Sequence, residues 1–265
     1  MHLLITRPEP DASAMRDMLD EEGVTADVAP LLEIAVDVPD AAMLIRASAL
    51  VVTSRNGLRA LEASPLMGEL LDRPLLVVGR GTGKAAKALG FCDVTVGPAM
   101  AKDLLPLIIA AWREKIVPKA GGVTPGPVLH LSGDKISFDL EPALTAVGIP
   151  FARDTVYRSQ PAQLLPADVV EKMKQAAYDA VVLMSPLTAD TYVDLVRSNG
   201  LAAGVRHCAY LCLSQGIAEQ LGPLGAEKVK IAAKPNIEEM LALIRETAAQ
   251  SAPMSPPEDR SDTQD

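Results

Sequence analysis

The chain has 265 residues, 49% of them apolar but only 3% aromatic, and a formal net charge of −9. That length is enough for two domains with a real core in each, and the apolar content excludes a disordered chain. Few aromatics and net negative charge argue against a base-stacking nucleic-acid surface, non-specific nucleic-acid binding and attachment to an anionic membrane.

The opening residues, Met1 to Pro10, hold too short an apolar run for a secretory signal. No window approaches the ~20 apolar residues of a membrane span, so a cytoplasmic protein is expected. Leu3–Ile5 reads as a buried strand, followed by a turn and a helix with Ala14, Met18 and Leu19 on its apolar side. Further strand-length runs follow at Leu50–Val52, Leu75–Val78 and Val94–Val96. A Gly/Pro-rich loop at 117–127 precedes Val128–Leu131, Ala180–Met184, Ala209–Leu213 and Val229–Ala232. After the last run, Ile237, Met240, Leu241 and Ile244 recur at helical spacing. Short Val/Leu/Ile runs alternating with helices predict an α/β protein whose parallel sheets are covered on both faces. Residues 250–265 are proline-rich and acidic and are expected to be disordered. Cys92, Cys208 and Cys212 form no regular framework, which points to a reducing compartment. They have no CxxC spacing and no histidine cluster, so Cys208 and Cys212 read as buried thiols and no metal is expected.

Four of these strand–turn–helix units occur twice in the same order. LLITRP pairs with VLHLSGD, and each leads through a helix and a glycine (Gly23, Gly148) into a further extended stretch. ALVVTSRNGLRAL pairs with AVVLMSPLTADTYVDL, LLVVGRGTGKAAKALG with AYLCLSQGIAEQLG, and VTVGPAMAKDLLPLI with VKIAAKPNIEEMLALI. Four matches in order imply two similar lobes. Cut by the repeat alone, the chain divides into 1–116 and 128–246.

The turns after the strands carry the candidate chemistry. In open parallel sheets they gather at the carboxyl edge, where ligands bind. They are Thr6-Arg7-Pro8, Thr53-Ser54-Arg55-Asn56, Gly79-Arg80-Gly81-Thr82-Gly83-Lys84, Ser132-Gly133-Asp134-Lys135, Ser185-Pro186-Leu187-Thr188 and Ser214-Gln215-Gly216. The glycine turn is neither a P-loop nor a dinucleotide fingerprint, because both spacings fail. Backbone N–H groups at a helix start make an anion site, while plain turn chemistry and N-capping explain the same residues; both readings stay open here. Arg7, Arg55, Arg80, Lys84, Lys135 and Lys234 could make a positive cleft in a net-acidic protein. No nucleophile–base constellation stands out, and His130, inside an apolar run, reads as a core histidine.

Taken together, Thr6-Arg7-Pro8, PLLEI at 30–34, TSRNGLRAL at 53–61, VVGRGT at 77–82, TVYRS at 155–159, MSPLTA at 184–189 and AAKPNIEEML at 232–241 resemble the uroporphyrinogen-III synthase family over about residues 1–246. The resemblance implies two flavodoxin-like lobes with parallel sheets, joined by a two-stranded ladder near Leu31–Ile34 and Thr155–Ser159. It places residues 1–33 with 161–249 in lobe one and 34–160 in lobe two. It also implies a cofactor-independent lyase of tetrapyrrole (heme) biosynthesis. Hydroxymethylbilane, a linear tetrapyrrole rich in carboxylates, loses water, inverts its last ring (ring D) through a spiro intermediate and closes to uroporphyrinogen III. Tyr157 matches the family's interlobe tyrosine, whose hydroxyl would assist the departing hydroxyl group. Thr6, Arg7, Thr53, Ser54, Asn56, Gly79, Thr82, Ser132, Gly133, Ser185, Thr188 and Ser214 are implied substrate-binding positions. Gly216-Ile217-Ala218 departs from the family's Thr-Thr-Ala, and Ser132 and Phe138 stand where arginine is frequent. The expected protein is a monomer that takes a small-molecule substrate, with transient hand-over from the preceding pathway enzyme. The alternative from another class is a two-lobed module that binds or senses a small anion without catalysis.

Overall fold

The computed structural model describes all residues except 99, 118, 119, 121, 123 and 252–265. Most of the expected disordered tail, and part of the expected loop at 117–127, therefore lie outside the described residues. Gln250 and Ser251 end the helix Ile237–Ser251.

Eleven strands build two sheets among the described residues: β1 His2–Ile5, β2 Thr25–Val28, β3 Leu32–Val36, β4 Ala49–Val52, β5 Leu75–Val78, β6 Val94–Gly97, β7 Val128–Gly133, β8 Phe151–Pro161, β9 Ala180–Leu183, β10 Ala209–Cys212 and β11 Val229–Ile231. One sheet has the order β11-β10-β9-β1-β2, and the other β3-β8-β7-β4-β5-β6. The pairings from β11 to β2 and from β8 to β6 are parallel. The fold is thus mixed α/β with parallel sheets.

The chain separates into two compact units, Met1–Leu32 with the chain from Pro161, and Glu33–Gln160. This overturns the division that the repeat alone suggests. β1 belongs to the first set of repeated strands, yet it pairs with β9 of the second set, with Leu3 opposite Ala180 and Ile5 opposite Val182. β7 belongs to the second set, yet it pairs with β4 of the first, with Leu50 opposite Leu129 and Val52 opposite Leu131. Read across the sheets, β2-β1-β9-β10-β11 and β8-β7-β4-β5-β6 follow one plan, the doubly wound order in which the first strand lies inside the sheet.

Each sheet has a buried layer on both faces, and each buried cluster draws on one unit. In β1, Leu4 faces Tyr178, Val181 and Tyr192, while Leu3 and Ile5 face Met15, Leu19, Met240 and Ile244. In β4, Leu50 and Val52 face Leu58 and Leu61, while Ala49 and Val51 face Leu104, Ile108 and Leu144. That alternation explains why these strands are aliphatic throughout. The helix Asp11–Asp20 forms as the sequence predicts, but buries Ala12, Met15 and Leu19. Ala14 is exposed, and Met18 is 46% exposed, because the helix meets the sheet one position away from the expected stripe. Cys208 and Cys212 are buried free thiols, both pushed up to about 12 by burial, and Cys92 is exposed. No described helix is long and apolar enough to cross a membrane.

Because the second unit holds its own two buried clusters, residues 33–160 expressed alone are expected to fold cooperatively. A thermal melt followed by far-UV circular dichroism checks this; a broad, non-cooperative transition would show that the unit depends on the rest of the chain.

Candidate active site

Parallel strands bring their following turns to one edge of a sheet. On the second unit that edge carries, in sheet order, Tyr157 of β8, Ser132 and Gly133 of β7, Thr53 and Ser54 after β4, and Gly79 after β5. The pairing of β7 with β8 slips between Ser132 and Gly133: Ser132 lies opposite Thr155, but Gly133 lies opposite Tyr157. This bulge re-aims the end of the strand. The Asp134 N–H then donates to the Tyr157 carbonyl at 3.1 Å.

The slip lays the Tyr157 ring over Gly133. A Cβ added at Gly133 would sit 2.5 Å from Cε2, 2.8 Å from Cζ and 3.0 Å from the phenol oxygen. Ser54 and the backbone of Gly133 act on that oxygen so as to lower its pKa. Ser54 is also the N-cap of the helix Arg55–Glu62, its Oγ accepting from the Asn56 N–H at 3.2 Å. That hydroxyl therefore fixes a helix start. Burial raises the Tyr157 pKa, outweighing the lowering influence of Ser54 and Gly133, and the Asp134 charge raises it further. At neutral pH this is a protonated phenol, able to donate.

Beside this group, Thr53 Oγ1 lies 3.4 Å from His130 Nε2. His130 is buried among apolar side chains of β7, and its pKa is lowered to about 4 by burial and the Arg153 charge, against the opposing Asp139. It is a neutral imidazole at physiological pH and no ready base, in keeping with its place in an apolar run. Asn56 Oδ1 accepts from Arg59 at 2.5 Å.

The glycine turn divides into three roles. Gly79 has φ +77°, which side chains rarely adopt. Gly83 faces β6, and a Cβ there would come within 2.5 Å of Val96 Cγ2. Gly81 has open space around it. Thr82 is buried in the helix Arg80–Ala88, while Arg80 and Lys84 are exposed. Two of the three glycines are thus explained by turn geometry and packing.

The remaining candidate hydroxyls are mostly spent inside the fold. Thr6 is buried and donates to the Val182 carbonyl at 2.6 Å, tying β1 to β9. Ser132 is buried and donates to the Gly133 carbonyl at 3.1 Å. Ser185 caps the helix Pro186–Ser198, its Oγ accepting from the Thr188 N–H at 3.1 Å and lying 2.6 Å from the buried Thr188 hydroxyl. Arg7 pairs with Asp11 at 3.1 Å. Ser214 stands half-buried at the start of the short helix Gln215–Ala218 without a side-chain capping bond. Thr6, Arg7, Ser185, Thr188 and Ser214 belong to the first unit and the other candidates to the second. The structure brings Gly133 and Tyr157 into contact, and it sets Thr53 beside His130.

Two concavities of about 280 and 500 Å³ lie away from these turns. The first is lined by Ala47, Ser48, Arg73 and Pro74, the second by Asp179, Ala209, Lys228 and Lys230. Both sit where strands begin, so neither marks the candidate site. Among the described residues no group of three or more His, Cys, Asp or Glu could hold a metal ion.

The glycine assignment predicts opposite responses. Gly83→Ala should cost about 1–3 kcal/mol through overpacking against Val96, whereas Gly81→Ala should be neutral or stabilise by up to about 1 kcal/mol. Chemical denaturation of both variants checks this. His130 predicts a pH dependence. Between its ordinary value near 6.5 and its lowered value near 4, the unfolded chain takes up a proton that the folded chain refuses. Its contribution is therefore full above about pH 6.5 and is lost as pH falls toward 4, at most about 3 kcal/mol in all. His130→Asn should flatten that part of the stability–pH curve; an unchanged slope would contradict the buried neutral imidazole.

The family model described as uroporphyrinogen-III synthase HemD matches residues 13–242. No curated protein sequence matches the chain. The crystal structure of uroporphyrinogen-III synthetase from Helicobacter pylori is 19% identical, covers 93% of this chain and 99% of its own, and superposes with a TM-score of 0.59. That of a mutant uroporphyrinogen III synthase from Thermus thermophilus is 18% identical, covers 94% and 99%, and has a TM-score of 0.54. At these identities the two structures speak to the fold alone. The family match spans most of the chain, and on that ground the chain belongs to the uroporphyrinogen-III synthase HemD family.

Proposed function

We propose that this chain is a cofactor-independent lyase that cyclises hydroxymethylbilane to uroporphyrinogen III, with Tyr157 as the acid that assists loss of water. The observation that carries the site assignment is the phenol held over Gly133 at the carboxyl edge of the sheet, kept protonated by burial. A phenol whose pKa is raised by burial donates a hydrogen bond without surrendering its proton in the resting state. As the terminal C–O bond breaks, the leaving hydroxyl takes a proton and departs as water. The proton lost from the pyrrole when the ring closes restores the balance, and macrocycle and water are the only products.

The substrate's carboxylates need donors more than nucleophiles. Backbone N–H groups at helix starts, the Thr53, Asn56 and Thr82 positions and the exposed Arg80, Lys84 and Lys135 supply hydrogen bonds and positive charge near the same edge. Arg7, Ser185 and Ser214 stand after strands of the first unit in the same way and are candidate donors for carboxylates there. Thr6, Ser132 and Thr188 act by holding those turns in shape, which their buried hydrogen bonds support.

The two units are the lobes of this enzyme, each with the flavodoxin-like strand order. β3 and β8 form the ladder between them. Hydrogen bonds from the Asp37 N–H to the Val156 carbonyl at 2.8 Å and from the Ala162 N–H to the Leu31 carbonyl at 2.9 Å support an antiparallel pairing there. The protein acts as a monomer in the cytoplasm, on a small-molecule substrate handed over from the preceding reaction.

Purified protein given freshly generated hydroxymethylbilane should yield, after oxidation and separation, predominantly isomer III. Isomer I at the proportion formed without enzyme would overturn the activity. Tyr157→Phe should lower kcat on the order of 100-fold with the thermal melt unchanged; wild-type turnover would remove Tyr157 from the chemistry.

A further inference from the structure

We propose that Gly133 is a positioning residue for the reaction: its missing side chain is what allows the Tyr157 phenol to lie across the end of β7. This rests on the reading that Tyr157 takes part in catalysis. Gly133 does not have a positive φ, so the backbone at this position accepts an ordinary residue. Its turn chemistry therefore gives no reason for a glycine. The reason lies across the strand pair. A Cβ would stand 2.5 and 2.8 Å from two ring carbons of Tyr157 and 3.0 Å from its oxygen, whereas carbon atoms in contact sit at about 3.5–4.0 Å.

The ring relieves such a contact by moving off β7, since Cε2, Cζ and the oxygen lie at the far end of the side chain. The Tyr157 backbone is held by the Asp134 N–H at 3.1 Å and by the strand register, so the displacement falls on the side chain. A shift of about 1 Å carries the oxygen out of its place at the end of β7, and misplacements of that size cost roughly 100-fold in rate. Gly133 touches no substrate in this scheme; it acts through the tyrosine.

The test is a double-mutant cycle on the intact protein with hydroxymethylbilane as substrate. Gly133→Ala should lower kcat by about 10- to 100-fold, with KM changed less than about threefold. In a Tyr157→Phe background the same substitution should cause no further loss, since the group it misplaces is already gone. Wild-type kcat for Gly133→Ala, or an equal additional loss in both backgrounds, would overturn the proposal. Should Gly133→Ala fail to fold, the Gly133→Ala/Tyr157→Ala double variant should fold because the obstructing ring is absent; a double variant that also fails overturns it. If Tyr157→Phe itself keeps full activity, the catalytic reading of Tyr157 fails. If Tyr157→Phe is impaired and Gly133→Ala is not, the positioning role alone fails.

Discussion

The parallel pairing of β1 with β9 fixes most of this molecule's organisation. Thr6 and Val182, joined by a buried hydrogen bond at the end of that pairing, are 176 positions apart in the chain. Closing so long a connection costs little more than closing a short one, since the entropy grows by only about 0.6 kcal/mol per doubling of length. Against it stand Leu3, Leu4 and Ile5, all fully buried, each worth about 1.5–3 kcal/mol of apolar burial. Burial wins, provided that the intervening residues have somewhere to go. They form a unit of their own, leaving after Leu32 and returning at Pro161.

The same parallel geometry creates the candidate site. A strand that runs beside its neighbours in one direction must deliver its turn to the same edge, so residues from Ser54 to Tyr157 meet although no local motif joins them. Packing then adjusts the chemistry. Burial holds the phenol protonated and keeps the His130 imidazole neutral. In both cases the low-dielectric surroundings disfavour the charged form, but they push the two pKa values in opposite directions because one group is an acid and the other a base. This leaves a hydrogen-bond donor at the edge and an uncharged ring just below it.

Elements were legible where both faces of a strand are buried. β4, β5 and β9 are runs of Val, Leu and Ala and stand out at once. β2 and β8 are less visible, because polar side chains interrupt them. Asp27, in the middle of β2, is pushed up by burial but held below its ordinary value by hydrogen bonds from Lys172 and Tyr178. Those partners lie far along the chain, and nothing near Asp27 announces them. In the candidate site, the turns, their capping hydroxyls and Tyr157 could be named from their order, yet the inward-facing Thr6 and Ser132 and the contact of Tyr157 with Gly133 could not.

The amino-acid sequence by itself determined the alternation of strands and helices, the internal repeat and the family resemblance. These are properties of local pattern and order, which survive without coordinates. Tertiary structure alone decided that β1 joins β9 and β7 joins β4, that two of the three glycines after β5 serve turn and packing, and which hydroxyls are free to face outward. Each of these depends on pairing between segments distant in sequence. A strand's edges are chemically alike whichever partner it takes, so side-chain burial over the whole sheet has to choose between them.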